Sequence, residues 1–457
     1  MRRQVRSRLA LLAVAGALAV AAPASAPTAG TALPVVSPNG GCRPTDVRPA
    51  SASPDAPAPQ WHGGGADLHR TQTRPSRVGA FGDGLMADGR TNGETFHDRT
   101  IRMVAHTSVA GSLPRVRLSN RYGGSPLTVG AVDLARQGGT AGTAETGTHR
   151  TVTFAGSTGV TVPVGQEVVS DPVPLGVEAD RDLLVSLHLP DSPAGADTWH
   201  QQALDTTWIS TAGDHTADDG TANYPATAQH RYVLAGIDVV SRTATGTLVA
   251  VGDSITDGVG STPGANRRWP DDLARRTAAT GGGTGRAVVN AGIGSNRVLT
   301  DAGTGGYNKS LISRFRPDVL GHPGVTDVLV LEGINDIGDD VGSGGVGPLT
   351  AADLERGLLD VICQAHAAGV RITGGTIPPF RGARYYTARG ERIRTAVNRW
   401  ILTSGAFDGV VDFDAALRAP GNPSALDPAY DSGDHLHPND AGYRAMADAV
   451  DLNAFAR

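Results

Sequence analysis

From Thr247 onward, short apolar strands alternate with amphipathic helices, and no other feature of the chain limits its fold as tightly. Leu248–Val251 reads as a strand ending in Gly252-Asp253-Ser254, and a helix follows over Pro270–Thr280, with Pro270 tolerated in its first turn. Ala287–Asn290 is a second strand. Val325–Leu331 is a continuous apolar run of the kind buried on both faces of a parallel sheet. Thr350 and Asp353 make a capping box for a helix carrying Leu354, Leu358, Val361 and Ile362, stopped by Gly369. Val370–Ile377 continues the sheet, Ile393, Val397, Trp400 and Ile401 stripe the next helix, and Val410–Phe413 is the last strand. A helix from about Asn439 to Val450 ends the pattern. Such alternation predicts an α/β domain over residues 245–457, a parallel sheet with helices on both faces. Ligands of such sheets gather beyond the carboxyl ends of the strands.

Upstream the texture differs. Arg2, Arg3, Arg6 and Arg8 precede an apolar run from Leu9 to Ala22 and the small residues Ala24, Ser25 and Ala26. That is the pattern of a secretory signal peptide over residues 1–26, and the run is too short for a spanning helix. The expected protein is therefore secreted, with no stable membrane anchoring after signal cleavage. Residues 27–59 are rich in Pro, Ala and Ser without periodicity and read as a linker. Residues 60–240 carry short β-branched runs such as Thr100–Ser108, Leu183–Leu189 and Tyr232–Val240, broken by Gly, Pro, Asn and Asp. Val185, Leu187 and Leu189 keep the period of two of a half-buried strand. This predicts an all-β sandwich or jelly-roll domain ahead of the α/β domain.

Composition removes several chemistries. Of 40 basic residues all but Lys309 are arginine, and Lys309 follows Asn308 where a phosphate-cradling loop needs Gly. Schiff-base chemistry would rest on that one lysine. A formal net charge of −5 with no basic block argues against a nucleic-acid surface. The two cysteines, Cys42 and Cys363, can pair in an oxidising compartment; alternatively Cys363 is a small buried hydrophobe.

Ser254 ends the first strand of the α/β region, where a sharp turn exposes a hydroxyl near backbone amides. Asp434 and His437 are spaced so that a carboxylate can reach the imidazole, set its tautomer and stabilise the imidazolium. Together they make a Ser-His-Asp relay; a metal site from Asp434, His435 and His437, or a solvated polar loop, are the competing readings. Asn335, after the third strand, and the turn Asn290–Ser295, after the second, offer a side-chain amide and backbone N–H groups for an oxyanion. These are the parts an acyl-transfer site requires.

Gly252-Asp253-Ser254-Ile255-Thr256, Asn290–Ser295, Gly333-Ile334-Asn335-Asp336 and Asp434-His435-Leu436-His437 resemble the four blocks of the GDSL/SGNH hydrolases. The resemblance covers about residues 245–457 and implies a flavodoxin-like three-layer fold and serine esterase activity with no cofactor and no metal. Ser254 would be the nucleophile, His437 the general base and acid, and Asp434 its orienter. The Ser254 amide, a second-block amide (Ser295 or Gly294) and the Asn335 side chain would hold the oxyanion. Ser295 stands where the family usually has Gly. The two-part layout also resembles secreted actinobacterial proteins of this family with an N-terminal β module.

Substrate choice is less determined. Asp253, Trp269 and Tyr385, with Arg267, Arg268 and Tyr386, are candidate substrate contacts. Export and a β module point to acyl groups on carbohydrates; lipid or phospholipid esters are the alternative, with a monomer as the expected state. In a third reading the β module carries the main role, Trp199, Trp208, Tyr224 and Tyr232 stacking on sugars unless they are core aromatics.

Overall fold

Five parallel strands organise the C-terminal part: β1 (Ala244–Gly252), β2 (Gly285–Gly292), β3 (Val325–Leu331), β4 (Arg371–Gly375) and β5 (Gly409–Val411). In the computed structural model they pair in the order β2-β1-β3-β4-β5, every register parallel. The crossover direction therefore reverses at β1, and the crevice beyond the ends of β1 and β3 is where such sheets hold ligands. The helices are α1 (Ser254–Asp257), α2 (Trp269–Ala279), α3 (Leu311–Phe315), α4 (Ile334–Asp339), α5 (Ala351–Ala367), α6 (Ala388–Thr403), α7 (Phe413–Leu417) and α8 (Asp440–Ala449). α2 packs on α8 and α5 on α6. Their apolar stripes, among them Leu273, Leu358, Val397 and Met446, share one core with Leu248, Val328 and Ile372 of the sheet. Both halves of the Thr350–Asp353 capping box form at the start of α5.

The structure describes residues 75–455 except 88–94, 193–197, 280–284, 304–305, 341 and 343–346. The expected signal peptide, the linker and Cys42 lie outside the described residues. Cys363, on α5, is half-buried and disulfide-bonded, so the reading of it as a buried thiol is set aside. Among the described residues no helix is long and apolar enough to cross a membrane.

The N-terminal part is built from antiparallel strands. One sheet joins Ser76–Gly82, Leu234–Ser241 and Gly111–Ser119; another centres on Phe96–Thr107 paired with Arg181–Ser192. Val78, Val116 and Ile237 of the first meet Ile101, Val185 and Leu187 of the second in one apolar core. Trp199, Trp208, Tyr224 and Tyr232 are all buried. They stabilise packing, Arg102 sitting over the Tyr224 ring, and present no platform to a sugar.

The two parts share a core. Ala244, Ala287 and Ile293 of the α/β region belong to the same apolar cluster as the antiparallel strands. Gly79 N–H donates to Thr247 Oγ1 at 2.9 Å, and Val288 N–H to Ser108 Oγ at 3.1 Å. A Cβ at Gly82 would stand 2.5 Å from the His322 ring, so the strand lies close against the neighbouring domain.

Two histidines work at this contact. His106 faces Asp182 at 2.7 Å and Asp180 at 3.1 Å, while Arg275 of α2 reaches Asp180 at 2.8 Å. His200 faces Asp257 of α1 at 3.1 Å. Burial alone would depress both imidazoles; for His106 the hydrogen bonds to Asp180 and Asp182 outweigh it, and for His200 the charges of Asp83 and Asp257 do, raising each to about 9. A pKa raised in the folded state gives stability that is complete below the unfolded value of about 6.5 and lost as pH rises toward 9. Urea unfolding is therefore expected to show wild type losing stability between pH 6.5 and 9 by more than His200→Gln does. The gap should be on the order of 1–3 kcal/mol. Equal slopes in the two proteins would contradict the assignment.

Candidate active site

β1 ends at Gly252, Asp253 caps α1 by accepting from Ile255 N–H at 2.9 Å, and Ser254 is the first residue of that one-turn helix. Helix-start amides have no partner within the helix, which puts the Ser254 N–H in a position to meet an anion. The turn sits tightly on the sheet. A Cβ at Gly252 would stand 2.1 Å from Leu331 O, and one at Gly292 would stand 2.2 Å from Asp257 N, so both positions require glycine. Ser254 is 9% exposed.

His437 comes to Ser254 from the loop before α8, which Asn439 caps by accepting from Gly442 N–H. Ser254 Oγ lies 2.8 Å from His437 Nε2, and His437 Nδ1 lies 2.5 Å from Asp434 Oδ2. The other oxygen of Asp434 accepts from Leu436 N–H at 2.9 Å and His437 N–H at 2.8 Å, which fixes the carboxylate against the ring it orients. Partial burial works to raise the Asp434 carboxyl, but the hydrogen bonds and charge of His437 outweigh it and hold it below the usual range. A proton on Nδ1 leaves Nε2 free to accept from the serine. His435 lies between the pair, yet its ring turns to Asp431 Oδ2 at 2.6 Å. Asp434, His435 and His437 therefore do not converge, and among the described residues no group of three metal-ligating side chains does.

The oxyanion side is assembled from the ends of β2 and β3. Asn335, in α4, donates one Nδ2 hydrogen to Asn296 O at 2.9 Å, which leaves the other for a ligand. Asn290 donates to Thr256 O at 2.8 Å and accepts from Gly292 N–H at 2.9 Å, tying the second block to α1. Asn308 Nδ2 donates to Gly294 O at 2.8 Å. Ser295 has φ +58°, the left-handed region that glycine enters most cheaply. Glycine would take this conformation at least cost, and serine offers the same N–H. Asp336 accepts from Val298 N–H at 2.9 Å and Leu299 N–H at 3.1 Å, holding the following loop.

The candidate substrate contacts divide. Tyr385 is half-buried with its OH 3.5 Å from Asn335 Oδ1, which places it beside the candidate oxyanion donor. Trp269 does not: it is 0% exposed, against Phe413 with ring centroids 5.6 Å apart, because it opens α2 on its core-facing side. Asp253 is also buried, a cap rather than a contact. Its neighbour is a second carboxyl, Glu332. Burial pushes Asp253 up to about 7 against the hydrogen bond that Glu332 makes to it, and burial together with the charge of Asp253 pushes Glu332 well above its ordinary range. Arg268 is buried on Asp271 at 2.8 Å, whereas Arg267 is exposed.

Arg314, in α3, went unnoticed in the sequence. Its side chain is 0% exposed, and it donates to Gly252 O at 2.9 Å, Ala291 O at 2.8 Å and Asn296 Oδ1 at 2.8 Å. One guanidinium thus clamps the ends of β1 and β2 and the asparagine that receives Asn335. Arginine in a short apolar helix with Asp318 four residues on was the available signal.

Residues 250–445 match the profile of the GDSL-like Lipase/Acylhydrolase family. No curated protein sequence matches the chain. Among solved structures it is similar to a GDSL-like lipase from Bacteroides thetaiotaomicron (19% identity, TM-score 0.32, 45% of this chain and 84% of that one). It is also similar to a carbohydrate acetylesterase family member from Sinorhizobium meliloti (16%, 0.35, 45% and 94%). A third is the M. smegmatis aryl esterase (17%, 0.35, 45% and 95%). The C-terminal part of the chain carries a domain of the GDSL-like lipase/acylhydrolase family.

Proposed function

We propose that this protein hydrolyses carboxylic esters through an acyl-enzyme on Ser254. The observation that carries the reading is the unbroken chain from Ser254 Oγ through His437 to Asp434 at the carboxyl edge of the sheet. His437 Nε2 takes the Ser254 proton as Oγ bonds the acyl carbon, and the carbonyl oxygen gains the negative charge. The Ser254 N–H, the Gly294–Ser295 turn and the free hydrogen of Asn335 Nδ2 face that charge, donors of a kind typically worth about 10²–10³ in rate each. Collapse expels the alcohol, which receives the proton from His437. Water then gives a proton to the same nitrogen, attacks the acyl carbon, and the acid leaves as Oγ recovers its hydrogen. Asp434 stays ionised throughout and keeps the ring turned.

The same proposal has the protein act after export, on the strength of the Arg2–Ala26 pattern, and takes the acyl groups to be carried by polar alcohols such as carbohydrates. A fluorophosphonate probe tests the chemistry. Labelling is expected to reach one equivalent, on the peptide containing Ser254, with hydrolysis of 4-nitrophenyl acetate falling in proportion. Protein that stays active and unlabelled, or that loses activity to a chelator, would contradict it.

A further inference from the structure

The antiparallel part does more than pack against the domain carrying Ser254: one of its segments reaches the proposed site. His200 donates through Nδ1 to Gly84 O at 2.8 Å, and its Nε2 lies 3.1 Å from both Asp257 Oδ1 and Gln202 O. Asp257 closes the single-turn helix that Ser254 opens. Four residues beyond His200, Leu204 O accepts from Gly264 N–H at 2.7 Å, and between them Ala203 N–H donates to Gln229 O at 3.0 Å. Residues 200–204 are therefore anchored at both ends, His200 and Asp257 being buried almost completely. Two side chains on this stiff segment are exposed, Gln201 and Gln202, and Gln202 is the one that faces Gly294: a Cβ placed there would lie 3.5 Å from Gln202 Oε1. A neutral amide, able to donate and accept, thus stands over the turn that follows β2.

We propose that Gln202 is a specificity-determining residue, its amide hydrogen-bonding a hydroxyl of the ester bound against Gly294, so that esters of polyhydroxylated alcohols are preferred to apolar esters of similar size. His200 is the positioning residue that holds it. The inference rests on the Ser254 reading and deepens it. Charge is not the discriminator, since the group over the turn is neutral. The geometry favours a hydrogen-bonding partner that an alkyl chain cannot supply, and an apolar ester would gain nothing from the amide and displace part of its water.

The test uses the whole protein and two acetates, methyl 6-O-acetylglucoside and hexyl acetate. Gln202→Met keeps length and removes both polar atoms. It is expected to lower kcat/KM for the sugar ester by about 3- to 10-fold, the worth of one neutral hydrogen bond, mostly through KM, and to leave hexyl acetate unchanged or improved. An unchanged ratio between the substrates, or wild-type enzyme that cleaves hexyl acetate and not the sugar ester, would overturn it. Thermal unfolding of the variant separates loss of fold from loss of preference, and Gln202→Asn should recover part of the ratio. Retained turnover in Ser254→Ala would instead overturn the reading on which this depends, so the two failures are distinguishable.

Discussion

Ser254→Ala should lower kcat on 4-nitrophenyl acetate by roughly 10³–10⁶-fold while leaving the fold in place, the range over which removal of a serine nucleophile acts in enzymes of this logic. The stability side of the expectation comes from what the hydroxyl touches. Ser254 Oγ bonds His437 Nε2 at the edge of solvent, and the cap of α1 is made by Asp253, not by the serine. Losing one such bond costs about 1 kcal/mol or less, so the thermal midpoint should move by only a few degrees. Activity within tenfold of wild type would remove Ser254 from the chemistry. Collapse of the fold would mean that the hydroxyl holds the turn, contrary to the hydrogen bonds around it.

Arg314→Met should have the opposite profile, a large loss of stability with activity falling as a consequence. The side chain is wholly enclosed, and replacing it removes a donor from three acceptors on separate elements, Gly252 O, Ala291 O and Asn296 Oδ1, of which Gly252 O keeps the Ile293 N–H at 3.0 Å. Asp318 keeps Arg121 and so is not left alone. Breaking a buried charge network by removing one member costs about 3–5 kcal/mol. That is roughly a fifth or more of the stability of an ordinary domain. Arg314→Lys should recover only part, because an ammonium cannot serve three divergent acceptors in a plane. Urea titration monitored by tryptophan fluorescence measures both. A loss below about 1 kcal/mol in Arg314→Met would mean that water replaces the clamp without penalty.

Much of the α/β part was legible because its signals are local. Val325–Leu331 forms a strand with those bounds, since an apolar run of that length between polar neighbours has few other uses. The Thr350–Asp353 box, the Ile393–Ile401 stripe and the helix after Asn439 were equally local and are present. Ser254, Asn335 and His437 could be grouped from the sequence because the first two sit at the starts of helices just after strands and the third lies in the short loop that leads into α8. What could not be read were pairings across the chain. His200 meets Asp257 across 57 residues and Arg314 meets Gly252 across 62, and no periodicity announces either. Trp269 misled for a related reason: it follows two arginines in what reads as a surface loop, while the helix it opens turns its first residue inward.

The strand Ser76–Gly82, lying with glycines against Val289 and His322, has a consequence for how such chains diversify. Composition draws a border near residue 245, but the apolar cluster crosses it through Ala244, Ala287 and Ile293. Recombination that exchanged the N-terminal part for another would uncover those three residues and leave Asp257 buried without its imidazole. An exchange of the N-terminal part would therefore have to be matched by changes at Ala244, Ala287, Ile293 and Asp257.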